Sequence, residues 1–375
     1  MRLLLNLSLL SPPLTGIGQY TARLLPHLLN EPRVSLCGFG RMGWVASKEQ
    51  IRALLQTPSS APTLIKKLRP YDLLALRFAY FELRKIWLSL KKPHDYEDWH
   101  YWEGGFLPLL ARPKLITIHD LSHIRYPEFH PRARVQLLNH YLPSAMAESK
   151  AILTVSEFSK SEIIELFGIQ SKKIHVLPPS ILPTFCPKSE EECAPLLQSY
   201  NLNYNGYLLS VATLEPRKNL ERLLDAYALL SPAVQKAYPL VLIGTSGWLN
   251  HTLGTKIMQL VQTGNVRLLG YLDSSQLPFL YAGARAFAYL SVYEGYGMPI
   301  AEALCCGIPA VIANYGAMLQ TGGKHAITTD VYSIACIAKA LQQALDSPKI
   351  DNCNIESVVF PQDAAQRLLR ILESL

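Results

Sequence analysis

Residues 286–313 read AFAYLSVYEGYGMPIAEALCCGIPAVIA. The run at 286–291 is short, apolar and aromatic, as a buried strand is. Pro299 suits the first turn of a helix, and residues 299–306 continue as one. Residues 310–313 are a second apolar run. Strand, helix and strand in so short a span form a parallel βαβ unit, because parallel neighbours need a crossover and the crossover is usually a helix. The loop inside the unit carries Glu294 and then Gly295, Tyr296 and Gly297. The glycines leave backbone amides free to face an anion or a polyhydroxyl ligand. Glu302 falls about one turn inside a helix that is otherwise apolar (Ile300, Ala301, Ala303, Leu304), where a carboxylate needs a partner or a ligand.

The same alternation extends in both directions. Upstream, residues 206–214 predict a strand, 219–230 a helix, 239–244 and 266–270 strands, and 274–282 a helix. Pro178, Pro179, Pro183 and Pro187, followed by the polar run 189–192, break the chain. Before that break lies another series: an apolar run at 3–10, a helix at 19–29, and strands at 114–119, 151–156 and 174–177. Ser156 and Glu157 open a helix that Gly168 stops. Apolar strands alternating with helices imply parallel sheets covered on both faces. The expectation is an α/β protein of two doubly wound, Rossmann-like domains, 1–187 and 188–358, with a terminal helix at 359–375. Ligands of open α/β sheets bind outside the carboxyl ends of the strands, so the cleft between the domains is the expected pocket.

The chain's 375 residues, 49% hydrophobic and 17% charged, suffice for two cores without disulfides or structural metal. The seven cysteines are odd in number, two are adjacent (Cys305, Cys306), and none shows zinc spacing, so a reducing, cytoplasmic setting is the simplest reading. Leu3–Leu5 and Leu7 look superficially like a signal peptide, but Asn6 and Ser8 interrupt them and no cleavage site follows. No run approaches the length of a membrane span. The net charge of +7 is uneven: residues 1–190 hold 24 Lys and Arg against 15 Asp and Glu, and residues 191–375 hold 12 against 14. A basic first half suggests an anionic partner there. No nucleic-acid motif supports DNA or RNA as that partner.

Three more loops carry candidate chemistry. Thr15-Gly16-Ile17-Gly18 lies between the first strand and helix, where glycines admit a ligand close to the backbone and the helix start favours an anion. It is not the dinucleotide fingerprint, because Thr21 stands where the third glycine belongs. Ile118-His119-Asp120-Leu121 puts His119 at a strand's carboxyl end; a structural histidine and a ligand contact are equally open there. Glu215-Pro216-Arg217-Lys218-Asn219 sets two cations at a helix start, an arrangement unfavourable to the helix dipole that a phosphate ligand would relieve, the alternative being a solvated surface pair.

These motifs, in this order, resemble the retaining glycosyltransferases of family four, with the GT-B fold. The stretches at 11–21, 117–122, 153–159 and 174–179 and the Glu294–Glu302 pair carry the resemblance over nearly the whole chain. It implies a nucleotide-sugar donor, a glycan or lipid-linked acceptor, no cofactor and no metal; Asp95-Tyr96-Glu97-Asp98 is no Asp-x-Asp motif. By resemblance, Gly16 and Gly18 approach the donor diphosphate, and His119 contacts the donor sugar near its C6. Arg217 and Lys218 neutralise the leaving diphosphate. Glu294 holds sugar hydroxyls with help from the amides around Gly297 and Met298, and Glu302 binds the ribose. The terminal helix is expected to cross back to the first domain. The motif set is similar to that of bacterial mannosyltransferases of cell-envelope polysaccharide synthesis, which points to GDP-mannose, with dTDP-rhamnose and UDP-sugars open. Two departures stand out. Ala212-Thr213 occupies the place of an arginine frequent in relatives, and Gly316–Gly322 replaces a common Leu-Pro-Glu turn. The alternatives are a non-catalytic sugar- or nucleotide-binding protein of the same fold and a sugar-nucleotide epimerase.

Residues 76–92 form a basic amphipathic helix. At about 100° per residue, Leu76, Ala79, Tyr80, Leu83, Ile86, Trp87 and Leu90 share one face, and Arg77, Arg84, Lys85, Lys91 and Lys92 gather on the other, with Phe81 and Leu88 among them. The expectation is that the apolar stripe is buried while Phe81 and Leu88 point outward, toward an anionic membrane surface on the cytoplasmic side.

Overall fold

The structure is a computed structural model describing residues 1–10, 14–40, 43–45, 47–56, 74–91, 98–245, 251–262, 264–350 and 358–375. The chain divides into two compact units, Met1–Ser180 with Val359–Leu375, and Ile181–Val358.

The first unit is built on seven strands: β1 (Arg2–Asn6), β2 (Ser35–Gly40), β3 (Gly43–Val45), β4 (His100–Glu103), β5 (Leu115–Ile118), β6 (Ala151–Thr154) and β7 (Ile174–Val176). Their order is β3-β2-β1-β4-β5-β6-β7. All neighbours pair in parallel except β2 and β3. The apolar run at 3–10 does not stay extended. The Asn6 side chain accepts from the Ser8 backbone amide (3.1 Å) and hydroxyl (2.5 Å), a local turn that ends β1, and Leu7–Leu10 winds as a 3-10 turn. Ser156 caps the helix Glu157–Phe167 by accepting from the Ser159 amide, and Gly168, at φ 64°, closes it. The terminal helix Pro361–Glu373 buries Ala364, Ala365, Leu368, Leu369 and Leu372 and packs on the helix Gly16–Asn30.

The helix Leu74–Leu90 turns most of the expected apolar stripe outward: among the described members of that stripe, Trp87 alone packs on the core. Leu88 is wholly buried, and Phe81 and Trp87 pack beside it against a core of Leu4, Cys37, Phe39, Tyr101, Leu109 and Leu110. The large apolar side chains of Tyr80 (65%), Leu83 (65%), Ile86 (55%) and Leu90 (81%) are left exposed. Two cations on the buried side are accommodated because their heads reach out of it. Arg84 donates to the Gly40 carbonyl (3.2 Å), and Lys85 lies near Glu82 (3.4 Å) and over the Tyr141 ring. The side chains of Leu76 and Arg77, and Lys92 altogether, lie outside the described residues, as do Asp95, Tyr96 and Glu97.

The second unit holds six parallel strands: β8 (Leu208–Val211), β9 (Leu240–Ile243), β10 (Val266–Gly270), β11 (Ala286–Tyr289), β12 (Ala310–Ala313) and β13 (Ile327–Thr329), in the order β10-β9-β8-β11-β12-β13. The inner strands β9, β8, β11 and β12 are short and almost wholly buried, as strands covered on both faces are, while the edge strands β10 and β13 are partly exposed. Among the described residues no helix is long and apolar enough to cross a membrane, and the described cysteines are free thiols.

Both sheets reverse direction of growth at one place. In the first unit the chain adds β2 and β3 to one side of β1, then returns to place β4 on the other. In the second it adds β9 and β10 to one side of β8, then returns to place β11. Ligands of open α/β sheets bind at such switch points, outside the carboxyl ends of the strands.

Candidate active site

At the switch point of the second unit, the loop after β8 meets the loop after β11. Asn219 adopts φ 56°, and its side-chain amide donates to the Val331 carbonyl (2.8 Å), which fixes the turn Pro216–Lys218 ahead of the helix Leu220–Ala228. Glu294, five residues beyond β11, reaches both cations of that turn. Lys218 Nζ lies 2.5 Å from Glu294 Oε1, and Arg217 donates to Glu294 Oε2 (3.1 Å) and to the Tyr293 carbonyl (3.0 Å). The other arm of Arg217 donates to Glu215 (3.1 Å). The Tyr289 hydroxyl accepts from Lys218 (2.8 Å) and donates to Glu294 (3.0 Å).

The two adjacent cations thus face two carboxylates, Glu215 and Glu294, and all four residues are largely buried. Burial alone pushes Glu294 upward, but the Arg217 and Lys218 charges outweigh it and hold the carboxyl below its usual range. Burial likewise pushes Lys218 downward, and Glu294 overrides it, so the ammonium is held above its ordinary value. Burial pushes the Tyr289 phenol up to about 12. The result is a buried cluster of mutually hydrogen-bonded charged side chains, the kind of preorganised environment that can orient a polyhydroxyl ligand and stabilise developing phosphate charge.

Gly297 stands at φ 94° ahead of the helix Met298–Cys305, and a Cβ there would lie 2.9 Å from Ile300 Cδ1, so this helix start requires glycine. Met298 is half-buried at the first position of the helix. Glu302 is buried one turn further along, and its charge acts on the Tyr281 phenol and the Cys306 thiol, both pushed upward chiefly by burial.

In the first unit, Gly16 is the exposed first residue of its helix and Gly18 is buried, where a Cβ would lie 2.6 Å from the Leu9 carbonyl oxygen. His119 follows β5. Its Nε2 is 2.8 Å from the Gly104 carbonyl, and its ring stands edge-on to Tyr20 (5.2 Å) and beside Phe106 (5.9 Å). Burial lowers its pKa. The Asp120 charge favours the His119 imidazolium, but less than burial disfavours it, and one Asp120 oxygen accepts from the Ser122 amide (3.0 Å) and hydroxyl (2.7 Å).

Four participants escaped the sequence reading: Tyr289, and at the other switch point Asn6, Glu103 and Gly104. Glu103 is fully buried and hydrogen-bonded to Asn6, Tyr101 and the Gly105 amide. The signal available was a carboxylate directly followed by two glycines, Gly104 and Gly105, after an aromatic run.

Comparison with known proteins agrees with this architecture. Residues 14–184 match the family model described as Glycosyltransferase Family 4, and residues 199–356 that of glycosyl transferases group 1. The chain is 35% identical over 336 residues to the O-antigen chain mannosyltransferase B of Escherichia coli, covering 89% of this chain and 87% of that protein. It is 24% identical over 358 residues to the O-antigen chain mannosyltransferase RfbU of Salmonella typhimurium, covering 92% of each. Among solved structures, Anabaena HepE in complex with UDP and glucose superposes with a TM-score of 0.66 at 17% identity, over 100% of this chain and 99% of that one. WaaG, a glycosyltransferase involved in lipopolysaccharide biosynthesis, superposes with a TM-score of 0.66 at 12% identity, over 100% and 98%. At these identities the structural likeness is one of fold.

Proposed function

This chain belongs to glycosyltransferase family 4, with the GT-B fold, and on that premise we propose that it transfers mannose from GDP-mannose to a glycan or lipid-linked acceptor in cell-envelope polysaccharide synthesis. The observation that carries the reading is Glu294 clasped between Arg217 and Lys218 at the switch point of the second sheet. The name of the Escherichia coli relative supports mannose as the sugar.

In this proposal residues 188–358 bind the donor and residues 1–187 serve the acceptor. Glu294 holds hydroxyls of the donor sugar, joined by the amides at Gly297 and Met298, and Glu302 takes the ribose. Arg217 and Lys218 counter the charge that grows on the leaving diphosphate, the place where electrostatic stabilisation does most for such a transfer. Gly16 and Gly18 let the backbone approach that diphosphate, and His119 contacts the sugar near C6. Transfer proceeds with retention: a donor phosphate oxygen takes the acceptor proton on the face the diphosphate leaves. The protein's part is positioning and charge, without a metal or cofactor.

The exposed row Tyr80, Leu83, Ile86 and Leu90 is the surface we assign to peripheral contact with an anionic membrane on the cytoplasmic face, where a lipid-linked acceptor resides. The excess of Lys and Arg in residues 1–190 supports an anionic partner.

The test is a saturation-transfer and hydrolysis screen of the purified chain against GDP-, UDP- and dTDP-sugars, with and without EDTA. GDP-mannose should be preferred, and EDTA should leave turnover intact. Lys218→Ala and Arg217→Ala should weaken both the donor and the free nucleoside diphosphate. A strict requirement for added Mn²⁺ or Mg²⁺, or full diphosphate affinity in both variants, would overturn the assignment.

A further inference from the structure

We propose that Glu103 is a positioning residue for the transfer: it fixes the turn whose carbonyl orients His119 and so makes Nδ1 the hydrogen-bond acceptor of that ring. The inference rests on the reading above in which His119 serves the donor sugar.

Glu103 ends β4 at the switch point of the first sheet, beside β1. Its carboxylate ties the two strand ends together. Asn6, the last residue of β1, donates to both oxygens (2.9 and 3.1 Å). The Tyr101 hydroxyl donates to Oε2 (2.7 Å) and the Gly105 amide to Oε1 (2.8 Å). Every one of these partners is a donor, the shell an ionised carboxylate takes.

Held this way, the Gly104–Gly105 turn has little room to shift. A Cβ on Gly105 would sit 3.0 Å from Glu103 Oε1, and one on Gly104 2.9 Å from Thr21 Oγ1 on the helix Gly16–Asn30. Gly104 then presents its carbonyl to His119 Nε2 at 2.8 Å. A carbonyl only accepts, so Nε2 carries the proton. Burial disfavours a second proton on the ring, which leaves Nδ1 with its lone pair. Such an imidazole accepts a hydrogen bond from a sugar hydroxyl; it is not a cation for phosphate. The carboxylate acts two residues removed from the ligand, by fixing a peptide plane.

Glu103→Gln keeps the size of the side chain but gives the Asn6 amide a second donor to face. It should lower kcat for transfer about tenfold or more, with the donor KM changed far less, since small misplacements of an orienting group act on the transition state. In the full chain labelled with ¹⁵N-histidine, the parent His119 should show a protonated Nε2 and a bare Nδ1, and Glu103→Gln should shift population to the other tautomer. The measurement on the parent needs no variant and stands even if Glu103→Gln folds poorly. A parent His119 protonated at Nδ1 would overturn the proposal, as would a Glu103→Gln variant with unchanged kcat or an unchanged tautomer. His119→Ala separates this from the larger reading: if that variant transfers normally, the role of His119 is what fails.

Discussion

Glu294 and Glu103 are buried carboxylates held in opposite electrostatic situations. Glu294 faces two cations and sits below its usual range, so its contribution to stability is present above that range and is lost as pH falls through its lowered value. Glu103 is pushed by burial from 4.5 up to about 7, against the pull of Tyr101, Gly105, Asn6 and the more distant Arg84. Its contribution runs the other way: fully present below 4.5, and lost as pH rises toward 7. At about 1.4 kcal/mol per unit, that loss is on the order of 3 kcal/mol. Thermal unfolding at about pH 5 and about pH 8 should therefore show Glu103→Gln gaining on the parent at the higher pH. An equal difference at both values would contradict the buried carboxylate described here. Activity should show the counterpart. Because the ionised form makes the clamp on Gly105, parental turnover should fall as pH drops through about 7, and Glu103→Gln should flatten that limb. The titratable and charged neighbours are Tyr101, Arg84 and, across Gly104, His119.

At the scale of elements, the helix Leu74–Leu90 is the sharpest disagreement between pattern and structure. Hydrophobic periodicity marks a stripe but does not say which side the core takes, and here Phe81 and Leu88, with Trp87 alone from the expected stripe, fit the aromatic core around Phe39 and Tyr101. The stripe of Tyr80, Leu83, Ile86 and Leu90 was left outside. Vesicles containing anionic lipid should sediment the parent, and Leu83→Glu with Ile86→Glu and Leu90→Glu should abolish that while donor binding stays intact. Unchanged sedimentation of the triple variant, or none by the parent, would discard the membrane assignment; concentration-dependent dimerisation lost in the triple variant would point to a second copy instead.

Elsewhere the pattern was legible where strands are continuous apolar runs, as in β5, β6, β8, β9, β11 and β12. It was not legible for β2, which holds two glycines, or for β4, which reads His-Tyr-Trp-Glu, because each is stabilised by its place in the sheet more than by its own composition. The candidate residues after legible strands, Arg217, Lys218 and Glu294, are joined in the structure by direct contacts. Those contacts were invisible in the sequence because 76 positions separate Lys218 from Glu294. Glu103 was missed because β4 was missed.

At the scale of the whole molecule, each sheet reverses its growth once, and at each reversal a glutamate from the returning strand or the loop after it bonds back to the central strand or its loop. Glu103 bonds to Asn6 in one unit and Glu294 to Lys218 in the other. The first is a neutral-donor clamp that orients a turn; the second is ionic and suited to a charged, hydroxyl-rich donor. Their chemistry follows from what surrounds them, since the fold alone does not define activity. The most direct test of the central claim is the rate of mannose transfer from GDP-mannose by Glu294→Gln beside the parent, with binding of the free nucleoside diphosphate followed in the same preparations. Glu294→Gln should fall in kcat by about a hundredfold or more while still binding the diphosphate. Near-parental turnover by Glu294→Gln would contradict the account.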